Sequence, residues 1–187
     1  MANGPLLTDS TMPFNFCKAG YPAAQAMVDY FGDRLHMVGD VHTELERLSA
    51  GFVALQRFVE AWPKERTRKV DSQLTLKVAA AIKVRQVAGQ HAKEDLGETA
   101  TVLYAEQRRD AGEEFEVVTD DRYGKTLARD RGFSPVTTPA IVIEMVCAKA
   151  LPYQDGHRVW RQCFSDQTRW NQFKARIEQA CPDVLDT

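Results

Sequence analysis

The chain predicts an α/β fold on a mainly parallel sheet. Short apolar runs bounded by turn residues alternate with longer stretches of helical spacing. The length of 187 residues suits one domain with a buried core, and no internal repeat or low-complexity tract interrupts it. The content of 44% hydrophobic and 27% charged residues is that of a globular chain, which excludes a disordered or fibrous one.

Taken in order, Leu6, Leu7 and Thr8 form a short apolar run that Asp9 and Ser10 end, so a buried strand and a polar turn are expected. Residues 14–31 read as helix, broken into two pieces by Gly20 and Pro22. Residues 35–38 are the second strand. Gly39 and Asp40 open a helix with Asp40 as its N-cap and Val41, Leu45 and Leu48 as its apolar stripe. Residues 52–92 read as one or two long helices interrupted at Pro63, with Leu74, Val78, Ala81 and Ile82 at helical spacing and residues 64–69 as a solvated connection. Asp95-Leu96-Gly97-Glu98 has the form of a capping arrangement and starts a helix that runs to about Asp110. Residues 115–119 are the third strand. A helix follows from Arg122 to Arg131, closed by Gly132. Residues 135–138 are a fourth strand candidate. From Pro139 onward the chain reads as helical, with Trp160, Phe164, Trp170 and Phe173 as residues that pack the tail onto the core, the alternative being stacking platforms for bases.

The formal net charge is −2, from 24 Lys+Arg against 26 Asp+Glu. That excludes a polycation that coats nucleic acid by bulk charge, and leaves room for a local basic surface. Cys17, Cys147, Cys163 and Cys181 show no paired CxxC spacing and no histidine at finger distance, so they read as reduced thiols. No Lys or Arg precedes Lys18, and Asp9 interrupts the first apolar stretch, so no signal peptide is expected. The apolar segment 140–146 contains Glu144 and is too short to span a bilayer. A cytoplasmic location without a membrane partner follows as the expectation.

Sites in parallel α/β sheets form beyond the carboxyl ends of the strands. Asp9 follows the first strand there, and Asp120 and Asp121 follow the third. Glu44 sits one turn into the helix after the second strand, and Glu98 in the first turn of the helix before the third. Singly, each has an ordinary reading as a turn residue, a cap or a solvated side chain. Together they form a set of carboxylates that repel one another unless a cation compensates. Oxygen ligands without histidine suit a hard ion such as Mg²⁺ or Mn²⁺, which serves hydrolysis of phosphodiesters.

Five segments in this order resemble the PIN-domain family, the ribonuclease fold of VapC-type toxins. They are Leu6-Leu7-Thr8-Asp9-Ser10, Phe16-Cys17-Lys18-Ala19-Gly20, Val41-His42-Thr43-Glu44-Leu45, Leu96-Gly97-Glu98 and Val117-Val118-Thr119-Asp120-Asp121-Arg122. The resemblance implies a three-layer α/β/α sandwich over residues 1–150 and leaves residues 151–187 as a helical C-terminal extension packed on the same domain. It implies Asp9, Glu44, Glu98 and Asp121 as catalytic metal ligands, with Asp120 a supporting ligand and Ser10 and Thr119 hydrogen-bonding around them. It further implies Mg²⁺ or Mn²⁺, single-stranded RNA as substrate, and an endoribonuclease that could be the toxin of a toxin–antitoxin pair. An antitoxin protein and a second copy of the chain are the further partners. The extra length of the chain bears on the toxin role more than on the nuclease.

Arg122, Lys125 and Arg129 share a helix face beside the proposed site, where they could hold RNA phosphates or simply face solvent. His42 and Glu44 are two apart and do not share a face, which argues against zinc. No phosphate-binding glycine loop is present. The alternative of a different class is an inactive RNA-binding or protein-interaction module on the same fold. Setting the four acids aside moves the remaining formal charge from −2 to +2, so a near-neutral total can hide an acidic pocket in a mildly basic surface.

Overall fold

The computed structural model describes residues 4–87 and 95–184. Its centre is a four-stranded, all-parallel sheet of β1 (Leu6–Thr8), β2 (Leu35–Val38), β3 (Thr67–Arg68) and β4 (Glu116–Val118), in the order β3-β2-β1-β4. In register, Leu6 faces Leu35 and Glu116, and Thr8 faces Met37 and Val118. Every residue of β1 and β2 is buried, which requires cover on both faces. The architecture is therefore α/β, built on an all-parallel sheet, which is compatible with an α/β sandwich.

The helices are α1 (Thr11–Ala19), α2 (Tyr21–Phe31), α3 (Gly39–Leu48), α4 (Val53–Ala61), α5 (Ser72–Val87) and α6 (Leu96–Asp110). After β4 come α7 (Arg122–Asp130), α8 (Thr138–Cys147), α9 (Tyr153–Gln162), α10 (Gln167–Trp170) and α11 (Gln172–Ala180). The expected break between α1 and α2 falls at Gly20, whose φ of 126° suits glycine. Helix α6 is the most enclosed: every residue from Gly97 to Ala105 is buried, because it contacts β1, β2, β4, α3, α5 and α7. Val159, Trp160, Phe173 and Ile177 of the last helices belong to the same core cluster as the sheet.

Several expectations need correction. Asp40 is not the N-cap of α3; Val38 holds that position and Asp40 lies in the first turn. Leu48 ends the apolar stripe half out of the core, while Val41 and Leu45 are fully buried. The connection at 64–69 is not simply solvated. It contains β3, with Arg66 paired to Asp33 and Arg68 hydrogen-bonded to His36 over the Phe115 ring. Asp95 makes no cap bond for α6 and pairs with Arg85 instead. Residues 135–138 form a single parallel bridge, Val118 to Val136, rather than a strand. The last part of the 52–92 helical reading, residues 88–92, lies outside the described residues.

The cysteines divide. Cys147 and Cys181 form a disulfide that ties the end of α8 to the end of α11, against the expectation of four reduced thiols. Cys17 and Cys163 are free, and burial pushes the Cys17 thiol up to about 12, so it is chemically quiet. A disulfide removes one of the grounds for expecting a cytoplasmic location. Among the described residues, no helix is long and apolar enough to cross a membrane.

Candidate functional site

The chain leaves β1 toward β2 on one side and returns to β4 on the other. The carboxyl ends of β1 and β4 therefore flank the point where strand order reverses, the usual crevice of an open parallel sheet. Asp9 stands at the end of β1, and Thr119 and Asp120 at the end of β4. The pairing extends one step beyond the strands, since the Asp9 N–H donates to the Val118 carbonyl at 3.1 Å.

Asp9 is fully buried. Its Oδ1 accepts from the Thr11 N–H at 2.9 Å, and its Oδ2 has no partner. Burial pushes its pKa up to about 7, the neighbouring Asp120 carboxylate adds to that, and the nearby Thr119 hydroxyl partly offsets it. Thr119 is itself buried, and its Oγ1 closes no full hydrogen bond. Glu98, from the first turn of α6, is 7% exposed with an unpartnered Oε2. Burial first, then repulsion from Asp9, Glu44 and Asp121, pushes its pKa up to about 8. Glu44 comes from α3; its pKa is raised by burial and partly restored by the Ser10 hydroxyl and by Arg47. The sequence-predicted acids thus share one electrostatic neighbourhood.

Asp120 and Asp121 divide their work. Asp121 caps α7, its Oδ1 accepting from the Tyr123 N–H at 2.6 Å and the Gly124 N–H at 3.1 Å. Asp120 turns the other way, and its Oδ1 accepts from the Thr138 N–H at the start of α8 at 2.9 Å. Its Oδ2 is buried and unpartnered, and burial raises its pKa against the pull of Thr138 and Lys125. One oxygen of each pair member thus fixes a helix start.

Two glycines that the sequence reading passed over make this gathering possible. A Cβ at Gly97 would stand 2.7 Å from Glu44 Oε2, and one at Gly124 would stand 2.5 Å from Thr119 Oγ1. Glycine inside a helix is otherwise unfavourable by about 1 kcal/mol, so two glycines within the first turns of α6 and α7 were a readable signal for close approach. Of the basic residues, Lys125 faces Asp120 and lines a cleft beside it, whereas Arg122 and Arg129 are exposed. His42 pairs with Glu46 at 3.4 Å and turns away from Glu44.

Three carboxylates from three elements each keep a buried, unpartnered oxygen, the donor type that a hard divalent cation takes. Among the described residues, no three His, Cys, Asp or Glu side chains already stand together as a cage for an ion.

No family model matches the chain, and neither a curated protein nor a solved structure matches it.

Proposed function

We propose that the chain is a divalent-metal-dependent endoribonuclease of the PIN type, with Asp9, Glu44, Glu98 and Asp121 holding Mg²⁺ or Mn²⁺ and Asp120 in support. The observation that carries this reading is the set of orphaned carboxylate oxygens on Asp9, Glu98 and Asp120 at the switch point of the sheet. Buried carboxylate oxygens normally find a partner, and one oxygen of each of these does not. Bound there, the ion supplies an activated water and charge neutralisation for phosphodiester cleavage.

The chain's own residues supply the rest. Thr11 holds the Asp9 carboxyl in place through its backbone N–H, leaving Oδ2 for the ligand. The Ser10 and Thr119 hydroxyls stand beside Glu44 and Asp9, where they favour the charged form of those carboxyls against the effect of burial. Burial keeps water from competing at Asp9 and Glu98 and strengthens every charge interaction among them. Lys125 offers a cation at the edge of the acids for the substrate's phosphate.

The reading is tested with labelled RNA in Mn²⁺ and in EDTA, comparing wild type with Asp9→Asn and Glu44→Gln. Cleavage by wild type in Mn²⁺ alone is the expected result. Equal cleavage by wild type and variants points to a contaminant and removes the reading. RNA binding without turnover under any metal favours the inactive module, which the helix-capping use of Asp120 and Asp121 also accommodates. Growth arrest on induction separates a toxin, with its antitoxin partner, from stand-alone RNA processing.

A further inference from the structure

Beside the acids lies a cleft of about 790 Å³ that begins at Asp120 and Lys125 and runs beneath the last helices. Its floor is apolar, formed by Ala140 and Ile143 of α8 with the rings of Trp160 and Phe164. Arg169 and Arg176 stand on its far side. Asp120 is the only acid that lines it, and none of Lys125, Arg169 and Arg176 forms an ion pair among the described residues.

The far wall is held in shape. The Trp160 indole N–H donates to the Arg169 carbonyl at 2.8 Å, and the Trp170 indole N–H donates to the Phe164 carbonyl at 2.8 Å. Trp160 is itself packed against Phe164 and Phe173, with ring centroids 5.0 and 5.4 Å away. The Arg169 guanidinium lies 5.5 Å from the Phe164 ring centroid. Two tryptophans therefore fix the backbone that presents a partly open aromatic ring and a cation to the same cavity.

An apolar, aromatic floor with cations on the rim suits a ligand that has one flat face and one anionic group. A nucleotide has both, and only an unpaired base can leave its stack to enter a cleft. We propose that the cleft between α8 and the α9–α11 tail is a nucleotide subsite, which seats one unpaired RNA base at Phe164 and the attached phosphate at Arg169 and Arg176. The proposal rests on the nuclease reading and adds to it: the tail holds the nucleotide next to the one whose phosphate is cut. That gives the residues beyond 150 a role in substrate binding.

The test is fluorescence anisotropy of a labelled single-stranded RNA with full-length Asp9→Asn protein as the non-cleaving background. Three further proteins carry, in addition, Arg169→Ala with Arg176→Ala, Phe164→Leu, or Arg158→Ala with Lys174→Ala. The last pair sits on α9 and α11 of the same tail, engaged with Asp155 and Glu178 and outside the cleft, and is the control for bulk charge. Loss of the two cleft arginines is expected to weaken binding about tenfold and to flatten the salt dependence by about 0.7, the value for one phosphate on a single strand. Phe164→Leu is expected to weaken binding about tenfold without changing the salt slope. Thermal melts check that each variant folds. An RNA duplex is expected to compete poorly. Unchanged binding in the cleft variants, equal loss in the control pair, equal competition by duplex, or no RNA binding by the background protein would each overturn the subsite. Cleft-dependent binding with no cleavage by the wild-type acids would leave the subsite standing and remove the nuclease; acid-dependent cleavage with an unchanged KM when the same cleft substitutions are made with Asp9 intact would do the reverse.

Discussion

At the residue scale the buried acids dominate. A carboxyl whose folded pKa is raised holds its proton more tightly in the folded chain than in the unfolded one. Its stabilising effect is present below the unfolded value near 4 and is lost as pH rises through the folded values of about 7 for Asp9 and about 8 for Glu98. Metal-free protein is therefore expected to melt several degrees lower at pH 9 than at pH 6, and Asp9→Asn is expected to flatten that slope. A melting temperature that is level over this range in the wild type contradicts the account. Gly124→Ala is a second residue-scale prediction. Alanine gains about 1 kcal/mol of helix propensity, but its Cβ collides with Thr119 Oγ1 and crowds Glu98, so a net loss of about 1–3 kcal/mol is expected. Gly39→Ala, with open space around it, is the control; equal stability of the two variants removes the close-approach argument. The acids were legible because each follows a strand or lies in the first two turns of a helix. Their partners were not: nothing in the local sequence around Thr138 or Gly124 says which carboxylate or hydroxyl will meet it.

At the element scale, helix starts and acids are the same features. Asp120 serves α8 through the Thr138 N–H, and its removal leaves that donor unpaired. Asp120→Ala is expected to cost about 1 kcal/mol of stability in urea melts, while Asp120→Asn keeps an acceptor oxygen and most of that stability. Both variants lose the charge, so equal stability loss in the two would show that the negative charge, rather than the cap bond, is what α8 uses. Strands β1, β2 and β4 were readable as apolar runs with turn residues after them. Strand β3 was not, because Thr67-Arg68 is two residues long and polar, and only its parallel pairing to Met37 and Val38 makes it a strand. The Asp95 cap failed for a related reason: Arg85, ten residues earlier, competes for the same carboxylate.

At the scale of the whole molecule, the tail is bound to the body by core packing and by one covalent link. The Cys147–Cys181 disulfide closes a loop of sequence separation 34, for which chain entropy gives about 4 kcal/mol. Cys147→Ser is expected to lower the melting temperature markedly and to weaken RNA binding, since α11 carries Arg176; a reducing agent that leaves the wild-type melt unchanged would contradict the link. Sequence spacing alone could not show this pair, because the helices that bring the two cysteines together lie between them. The α/β class, the parallel sheet and its main strands were readable from alternation and strand ends. The cleft was not, because its walls come from five helices whose packing no local pattern encodes. The central claim is that the buried acids form a divalent-cation site. Calorimetric titration of Mn²⁺ into wild type and Asp9→Asn at pH 7, in two buffers of different ionisation enthalpy, tests it without any knowledge of the RNA. The expected result is saturable binding to wild type with release of protons from Asp9 and Glu98, and binding weakened at least about tenfold in the variant. Absence of binding to wild type, or equal affinity in the two proteins, would contradict it.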